Sequence, residues 1–140
     1  MIIETLSFNI QTKGFNQIID ITEKVQSLID SSKVNEGNAL VFVPGATAGI
    51  TTIEFEPGLI KDYPELMEKL IPSSKSYHHD NTWHDGNGYA HLRASLQGAS
   101  FTVPFKDKKL LLGTWQQIVL IDFDNRSRNR KIIIQIMGVQ

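Results

Sequence analysis

Ala39-Leu40-Val41-Phe42-Val43, followed by Pro44-Gly45, is the stretch that decides the fold. A continuous apolar run of this length, stopped by a turn signal, predicts a β-strand that is apolar on both faces. Ile50-Thr51-Thr52-Ile53 is rich in β-branched residues and is predicted to be the next strand along the chain. We therefore expect both segments to be central strands.

The residues on the N-terminal side of this run predict one strand and one helix. Leu6, Phe8 and Ile10 alternate with polar residues, which is the period-2 pattern of a half-buried strand. Asp20 and Glu23 have the spacing of a capping box and predict that a helix begins there. The apolar residues on its buried face are Ile21, Val25, Leu28 and Ile29.

A second helix is predicted on the C-terminal side, just before a histidine-rich loop. It begins at Asp62, with Glu65 three residues on, and ends before Pro72. We interpret Asp62 as the helix cap and not as a catalytic carboxylate, because an Asp there usually accepts hydrogen bonds from first-turn amides. The apolar residues on the buried face of this helix are Tyr63, Leu66, Met67, Leu70 and Ile71.

The segment after the histidines fits two patterns. Residues 90–97 alternate like a strand, but their helix formers and the following Gly98 favour a short helix with a C-terminal glycine. Residues 101–105 then alternate toward a polar turn, where Pro104 implies an edge strand or a bulge. A hairpin is expected to return through residues 110–112.

The last two predicted strands, residues 118–123 and 132–137, are joined by the polar, Arg-rich segment 124–130. The chain shows no regular alternation of strands and helices, which argues against a doubly wound parallel sheet. We therefore expect one α+β domain over residues 1–140, with a mostly antiparallel sheet or sandwich and two or three helices.

The composition is that of an ordinary globular domain, with 140 residues, 41% hydrophobic residues and a formal net charge of −1. Because a net charge of −1 does not attract the negatively charged phosphate backbone, nucleic acid is not an expected partner. The absence of cysteine excludes thiol catalysis and leaves nitrogen and oxygen as metal ligands. Neither a membrane-spanning run nor a signal peptide is recognisable, so we expect no membrane partner and a cytoplasmic location.

All four histidines of the chain lie within residues 77–91, and they are His78, His79, His84 and His91. Imidazole is the commonest metal ligand and titrates near neutral pH, so such a stretch could hold zinc or move protons. At most three should converge, because His78 and His79 point to opposite sides of an extended chain. No short zinc motif is present. A metal site and ordinary hydrogen-bonding histidines therefore both stay open.

Four sequence blocks, taken in order, resemble the YjbQ-like family nearly from end to end. The blocks are Ala46-Thr47-Ala48-Gly49-Ile50-Thr51, Tyr77-His78-His79-Asp80, Asn87-Gly88-Tyr89-Ala90-His91-Leu92-Arg93-Ala94-Ser95 and Leu112-Gly113-Thr114-Trp115-Gln116-Gln117-Ile118. The resemblance implies an α+β fold, usually as a homotrimer. Proteins similar to this are often labelled secondary thiamine-phosphate synthases because a weak activity of that kind is associated with the family.

The resemblance also implies catalytic residues. His79 and His91 match the two histidines of the family blocks, and Glu54 matches an acidic residue after the Ile-Thr-rich strand. The chain departs from the family at residues 45–47, where many members carry a His-Thr-Thr type sequence. Because His84 could replace that missing ligand, we expect a metal ion, preferably zinc, to be held by His79, His84 and His91.

Thiamine phosphate synthesis joins a pyrimidine diphosphate to a thiazole phosphate, so its site must stabilise a departing pyrophosphate. Arg130 is the preferred cation because it adjoins a strand, although an Arg-rich run is more commonly a solvated hairpin loop. We interpret Trp115 as core or interface packing and not as a stacking platform. The predicted ligand-binding residues are Thr47, Asn87, Ser95, Thr114, Gln116 and Arg130.

Three functions are compatible with these residues. The first is a transferase of the thiamine-phosphate-synthase type with a histidine-lined site. The second is a metal-dependent hydrolase of a small phosphorylated metabolite, in which the three histidines hold the ion and Glu54 is the general base. The third is a non-catalytic homotrimer that binds such a metabolite.

Overall fold

The chain folds into two antiparallel β-sheets and four helices. The structure is a computed structural model and describes all 140 residues. The strands are β1 (Ile2–Thr12), β2 (Gln17–Asp20), β3 (Glu36–Phe42), β4 (Ala48–Ile53), β5 (Ser100–Lys106), β6 (Lys109–Leu110), β7 (Gln117–Asp122) and β8 (Arg128–Val139). The helices are α1 (Thr22–Ser31), α2 (Pro57–Leu70), α3 (His78–Trp83) and α4 (Gly88–Gln97).

The larger sheet has the order β1-β8-β3-β5-β6 and the smaller has the order β2-β7-β4. All the strand pairs are antiparallel, so the expected α+β class is confirmed, with four helices instead of two or three. β3 is central, as predicted. The prediction that β4 is central was wrong, because β4 is an edge strand of the smaller sheet. Its outer side is covered by the chain that follows α4, where the Ile50 amide donates to the Gly98 carbonyl.

The smaller sheet is buried on both faces. Ile118 and Leu120 of β7 belong to the core that it shares with the larger sheet and α1. Val119 and Ile121 point the other way and join a second core with residues of α2 and α4. Full burial of an aliphatic side chain contributes about 1.5–3 kcal/mol, which explains why β7 is apolar at successive positions. None of the helices is long and apolar enough to cross a membrane.

Two helices begin at residues other than those predicted. α2 begins at Pro57, and its cap is Glu56, whose carboxylate accepts hydrogen bonds from two first-turn amides. Asp62 therefore lies inside the helix and is not its cap. α1 begins at Thr22 without a side-chain cap, while Asp20 ends β2 and accepts hydrogen bonds from the amide and hydroxyl of Thr22. The predicted starts of α1 and α2 were therefore both wrong, because each prediction took a nearby acidic residue for the helix cap.

The two predicted C-terminal turns also differ from the structure. The β5–β6 hairpin exists, with Asp107 and Lys108 at positive φ, but β6 ends at Leu110. Pro104 lies near the sheet edge, as expected, because β6 pairs with only the last two residues of β5. β7 and β8 belong to different sheets. The Arg-rich segment between them is therefore a crossing between sheets and not a hairpin loop.

Candidate functional site

The histidine-rich stretch was predicted to be a loop, but it contains α3 and the start of α4. Asp80 joins the two helices, because its Oδ2 accepts from the Tyr77 amide and its Oδ1 from the Gly88 amide, both at 2.9 Å. These two hydrogen bonds lower the pKa of the Asp80 carboxyl. A Cβ at Gly88 would lie 2.9 Å from that of Tyr77, so the close approach of the helices requires glycine.

This packing brings His79 of α3 against His91 of α4. Their ring centroids are 4.1 Å apart and the ring planes are inclined by 37°. Burial and the adjacent His79 ring both lower the pKa of His91. A neutral His91 can accept a proton or donate one hydrogen bond. The two histidines selected by the family resemblance are therefore neighbours within one chain.

Two carboxylates lie beside His79. Its Nδ1 is 3.9 Å from Asp80 Oδ1 and 3.8 Å from Asp85 Oδ1. One donor atom from each of these three residues lies within 4.8 Å of the others, which is an arrangement that could hold a metal ion. His84 is outside this group, since it ends α3 in a left-handed conformation and is exposed. The expected ligand set of three histidines is therefore not assembled in this chain.

A buried network of ion pairs lies where β7 ends and β8 begins. Arg130 donates from Nε and Nη2 to the two carboxylate oxygens of Asp122, both at 2.8 Å. Arg128 pairs with Asp124 at 2.7 Å. Thr47 accepts from Arg130 Nη2 and donates to Asp124. Both aspartates are fully buried, so they need these cations to offset the cost of desolvation.

Asn87 connects this network to the start of α4. Its Nδ2 donates to Asp124 Oδ1 at 3.3 Å, while its own Oδ1 is buried without a partner. Burial acts to raise the pKa of Asp124, but hydrogen bonds outweigh it, and the net pKa is below the usual value. The donors of those bonds are Asn87, the Asn125 amide, Thr47 and Arg128.

A cavity of about 270 Å³ lies between the start of β4 and α4. It is lined by Gly45, Ala46, Ala48, His91, Ala94, Ser95, Gly98 and Ala99. Gly45 has a φ of +127°, and a Cβ at this position would lie 3.1 Å from Arg130 Nη1. This is the one guanidinium nitrogen of Arg130 that makes no hydrogen bond in the chain. Arg130 Nη1, a cationic donor without a hydrogen-bond partner in the chain, therefore lies directly behind Gly45 in the cavity wall.

His91 also borders a second cavity, of about 290 Å³. The other residues around it are Tyr77, His78, His79, Gly88 and Leu92. An aromatic ring and an aliphatic side chain make this wall more apolar than that of the first cavity. His91 is thus shared by two compartments with different chemistry.

Three predicted site residues lie elsewhere. Glu54 follows the last residue of β4, whereas Ala48 at the first residue lines the cavity. Six residues of extended chain separate them by about 20 Å. Thr114 and Gln116 lie at the Glu54 end, where Gln116 Nε2 donates to Thr52 Oγ1 at 3.2 Å. Glu54 of the same chain therefore lies far from the cavity that His91 lines, so within one chain we do not place the general base there.

The two tryptophans are on the surface of the chain. Trp115 is 71% exposed, so the interpretation as core packing was wrong, while packing at an interface stays a prediction. Trp83 is 72% exposed and does not line either cavity beside His91.

Sequence reasoning missed three acidic residues of the site. Asp122 and Asp124 carried a usable signal, because two carboxylates at the end of an apolar strand need cationic partners, and Arg128 and Arg130 follow at alternate positions. Asp85 carried no comparable signal, since an acidic residue in a polar stretch is usually solvated.

The fold and the site define a class of small α+β proteins with a helix-borne histidine pair beside a buried Asp–Arg network. This chain belongs to the UPF0047 protein YjbQ-like family, whose model matches residues 6–139. A UPF0047 protein of Archaeoglobus fulgidus is 39% identical over 132 residues, which cover 94% of this chain and 100% of that protein. The expected family resemblance is confirmed.

Solved structures show the same fold. A hypothetical protein from Aeropyrum pernix K1 has a TM-score of 0.89 at 32% identity, covering 96% of this chain and 98% of its own. A structure from Sulfolobus solfataricus P2, described as a YbjQ-like protein of unknown function, has a TM-score of 0.87 at 31% identity, covering 97% of this chain and 99% of its own. Family membership therefore establishes the fold, and the reaction has to be argued from the site.

Proposed function

We propose that this chain is a cytoplasmic enzyme that acts on a small phosphorylated metabolite in the cavity beside His91. The observation that carries the proposal is the free Nη1 of Arg130 behind Gly45, at a cavity that also contains His91 and Ser95. A guanidinium N–H and a hydroxyl are suitable donors to phosphate oxygens. The imidazole in the same cavity can exchange a proton with the bound molecule.

The buried network supports this role because it fixes Arg130 before any ligand binds. Asp122 holds two of the guanidinium nitrogens, and Thr47 holds one of them from the other side. A donor that is already oriented loses little conformational entropy when it binds a phosphate oxygen. Because Asp122 neutralises most of its charge, Arg130 acts by a directed hydrogen bond and not by a strong field.

The reaction that we propose first is transfer of the thiamine-phosphate-synthase type, because it needs two substrates and His91 borders two cavities. The thiazole nitrogen attacks the methylene carbon of the pyrimidine diphosphate and becomes cationic. The bond from that carbon to the pyrophosphate oxygen breaks, and the electron pair leaves with pyrophosphate. Arg130 and His91 donate hydrogen bonds to the leaving group, and one such donor stabilises developing charge by about 2.7–4 kcal/mol.

Metal-assisted hydrolysis is the second candidate, and the group of His79, Asp80 and Asp85 favours it. These residues would hold a divalent ion, which would supply an activated water for attack on phosphorus. A neutral base would take the proton of that water and could return it to the leaving oxygen as the bond from phosphorus breaks. His91 replaces Glu54 as the base, because its ring contacts that of His79.

The products that form distinguish these reactions. We expect the protein to convert the pyrimidine diphosphate and thiazole phosphate to thiamine phosphate and pyrophosphate in equal amounts, detected by mass spectrometry. His91→Asn should lower the rate about 100-fold, since general acid–base groups contribute at least that factor. The matched control, His84→Asn, changes an exposed histidine outside both cavities and should have no effect.

Other outcomes point to other functions. Release of inorganic phosphate from phosphate monoesters, without thiamine phosphate, would select hydrolysis. Binding of inorganic pyrophosphate without either product would contradict an enzyme and select the metabolite-binding protein.

We also propose that the chain forms a homotrimer, as the family resemblance implies. The outer face of the larger sheet supports an interface, because Thr5, Asn38, Phe42 and Thr102 on three of its strands are exposed there and none is charged. The charged residues of this face, which include Glu36, Lys106 and Lys131, lie toward the ends of its strands, so its middle can meet another copy without electrostatic repulsion.

A further inference from the structure

We infer that His79, Asp80 and Asp85 form a binding site for one divalent metal ion per chain. The site differs from the three-histidine site expected from the sequence, since two carboxylates take the places of His84 and His91. The inference does not rest on the proposed reaction, because ion binding is measurable without any substrate.

The first argument is that His79 Nδ1 lacks a partner. Only two buried side-chain nitrogen or oxygen atoms of the chain make no hydrogen bond, namely His79 Nδ1 and Asn87 Oδ1. Both belong to this region, since Asn87 precedes Gly88, whose amide binds Asp80. An unsatisfied buried polar atom destabilises the fold, so its presence points to a partner that binds there.

Neither neighbouring carboxylate is close enough to form a hydrogen bond with His79 Nδ1. The separations of Nδ1 from Asp80 Oδ1 and Asp85 Oδ1, 3.9 and 3.8 Å, are too long for a hydrogen bond. They are close to the spacing of two ligands around one ion. Zinc bonds of about 2.0–2.2 Å place neighbouring ligands of a tetrahedral ion about 3.3–3.6 Å apart.

The local structure allows the remaining adjustment. His79 and Asp80 are fixed neighbours on α3, and the Tyr77 and Gly88 amides hold both oxygens of Asp80. Asp85 is exposed and lies in the turn before Gly86, which has a φ of +68°. Asp85 is therefore the ligand with the most freedom to move toward an ion, and a rotation of the His79 ring can shorten its 3.9 Å separation from Asp80.

The donor set also fits the charge and kind of the ion. Two carboxylates neutralise a divalent cation, and one imidazole nitrogen with two oxygens is a ligand set used for zinc and similar metals. Three protein ligands leave a position open for water or a substrate. Because the His79 ring contacts His91, such an ion lies next to the cavities that His91 borders.

Calorimetric titration of the metal-stripped protein with zinc chloride tests the site. We expect the wild type to bind one ion per chain and Asp85→Asn to bind it at least about tenfold more weakly, since the amide keeps the shape but loses the charge. His84→Asn, the matched control one position away, should bind like the wild type. Cobalt absorption spectra of the same proteins give a second readout of the ligand set.

Three results would overturn the inference. They are a wild type that binds no zinc, an Asp85→Asn variant that binds like the wild type, and a loss of binding in His84→Asn alone. Circular dichroism shows whether each variant is folded, and the exposed positions of Asp85 and His84 lead us to expect native spectra. Because no substrate is present, a failure here leaves the proposed reaction to its own assay.

Discussion

The rings of His79 and His91 lie 4.1 Å apart, centroid to centroid, although the two residues belong to different helices. The contact exists because Asp80 binds the first amide of α4 and because Gly88 lets the helices approach closely. It places one imidazole at the border of two cavities and the other beside two carboxylates. A candidate proton-transfer group and a candidate metal ligand are therefore in direct contact.

Replacing His91 with Ala should abolish catalysis and leave the free energy of unfolding nearly unchanged, because the ring is only partly buried and makes no hydrogen bond within the chain. Activity assays and thermal melts of the variant check this. A structural histidine would behave differently, with a loss of about 1–3 kcal/mol of stability and unchanged binding of ligand.

Gly45→Ala should weaken binding of inorganic pyrophosphate about tenfold, since the new methyl group covers Arg130 Nη1 and one charged hydrogen bond is lost. The strained φ should also cost about 1–3 kcal/mol of stability. Gly86→Ala is the control, because Gly86 also has a positive φ, of +68°, but a Cβ there would have no neighbour closer than 3.9 Å. Calorimetry that finds equal affinities for both variants would contradict the phosphate role of Arg130.

Acid should destabilise the protein partly through Asp124. Its pKa in the folded chain is below the usual 3.8, so its contribution is complete above that pH and is lost as the pH falls through the folded value. Asp124→Asn should cost about 1–3 kcal/mol at neutral pH, because the hydrogen bond from Arg128 to a charged carboxylate is lost while the Arg128 side chain stays partly solvated. Urea denaturation at several pH values should then show a shallower decline for the variant, and parallel declines would contradict this.

Light scattering tests the proposed homotrimer. We expect a molar mass three times that of the 15.8 kDa chain at micromolar concentration. Phe42→Asp should lower that mass, because it places a charge on the exposed face of the larger sheet. A wild type with the mass of a single chain would rule out the trimer.

Much of the fold follows from residue patterns. The alternation of Leu6, Phe8 and Ile10 correctly predicted β1, and the apolar run 39–43 correctly predicted a central strand. The order of strands was less accessible, because a β-branched segment such as 50–53 is buried equally well at the edge of a covered sheet. The start of α2 was misplaced because Glu56 and Pro57 supply a cap earlier than Asp62.

The site could be predicted only in part. His79 and His91 were singled out by family blocks, and the structure brings them together. Glu54 came from the same resemblance, but a motif does not tell which end of a strand a residue occupies in three dimensions. The need of Asp122 for a cationic partner could be predicted, but its pairing with Arg130 depends on the crossing between two sheets, which no local pattern encodes.

The most direct test of the central claim is nitrogen-detected histidine NMR during titration with inorganic pyrophosphate. The four imidazoles of the chain give separate probes. We predict that the His91 nitrogens shift most, because His91 lines the cavity next to Arg130, and that those of exposed His84 do not shift. Unchanged His91 signals at saturating pyrophosphate would contradict a phosphate-binding active site in this cavity.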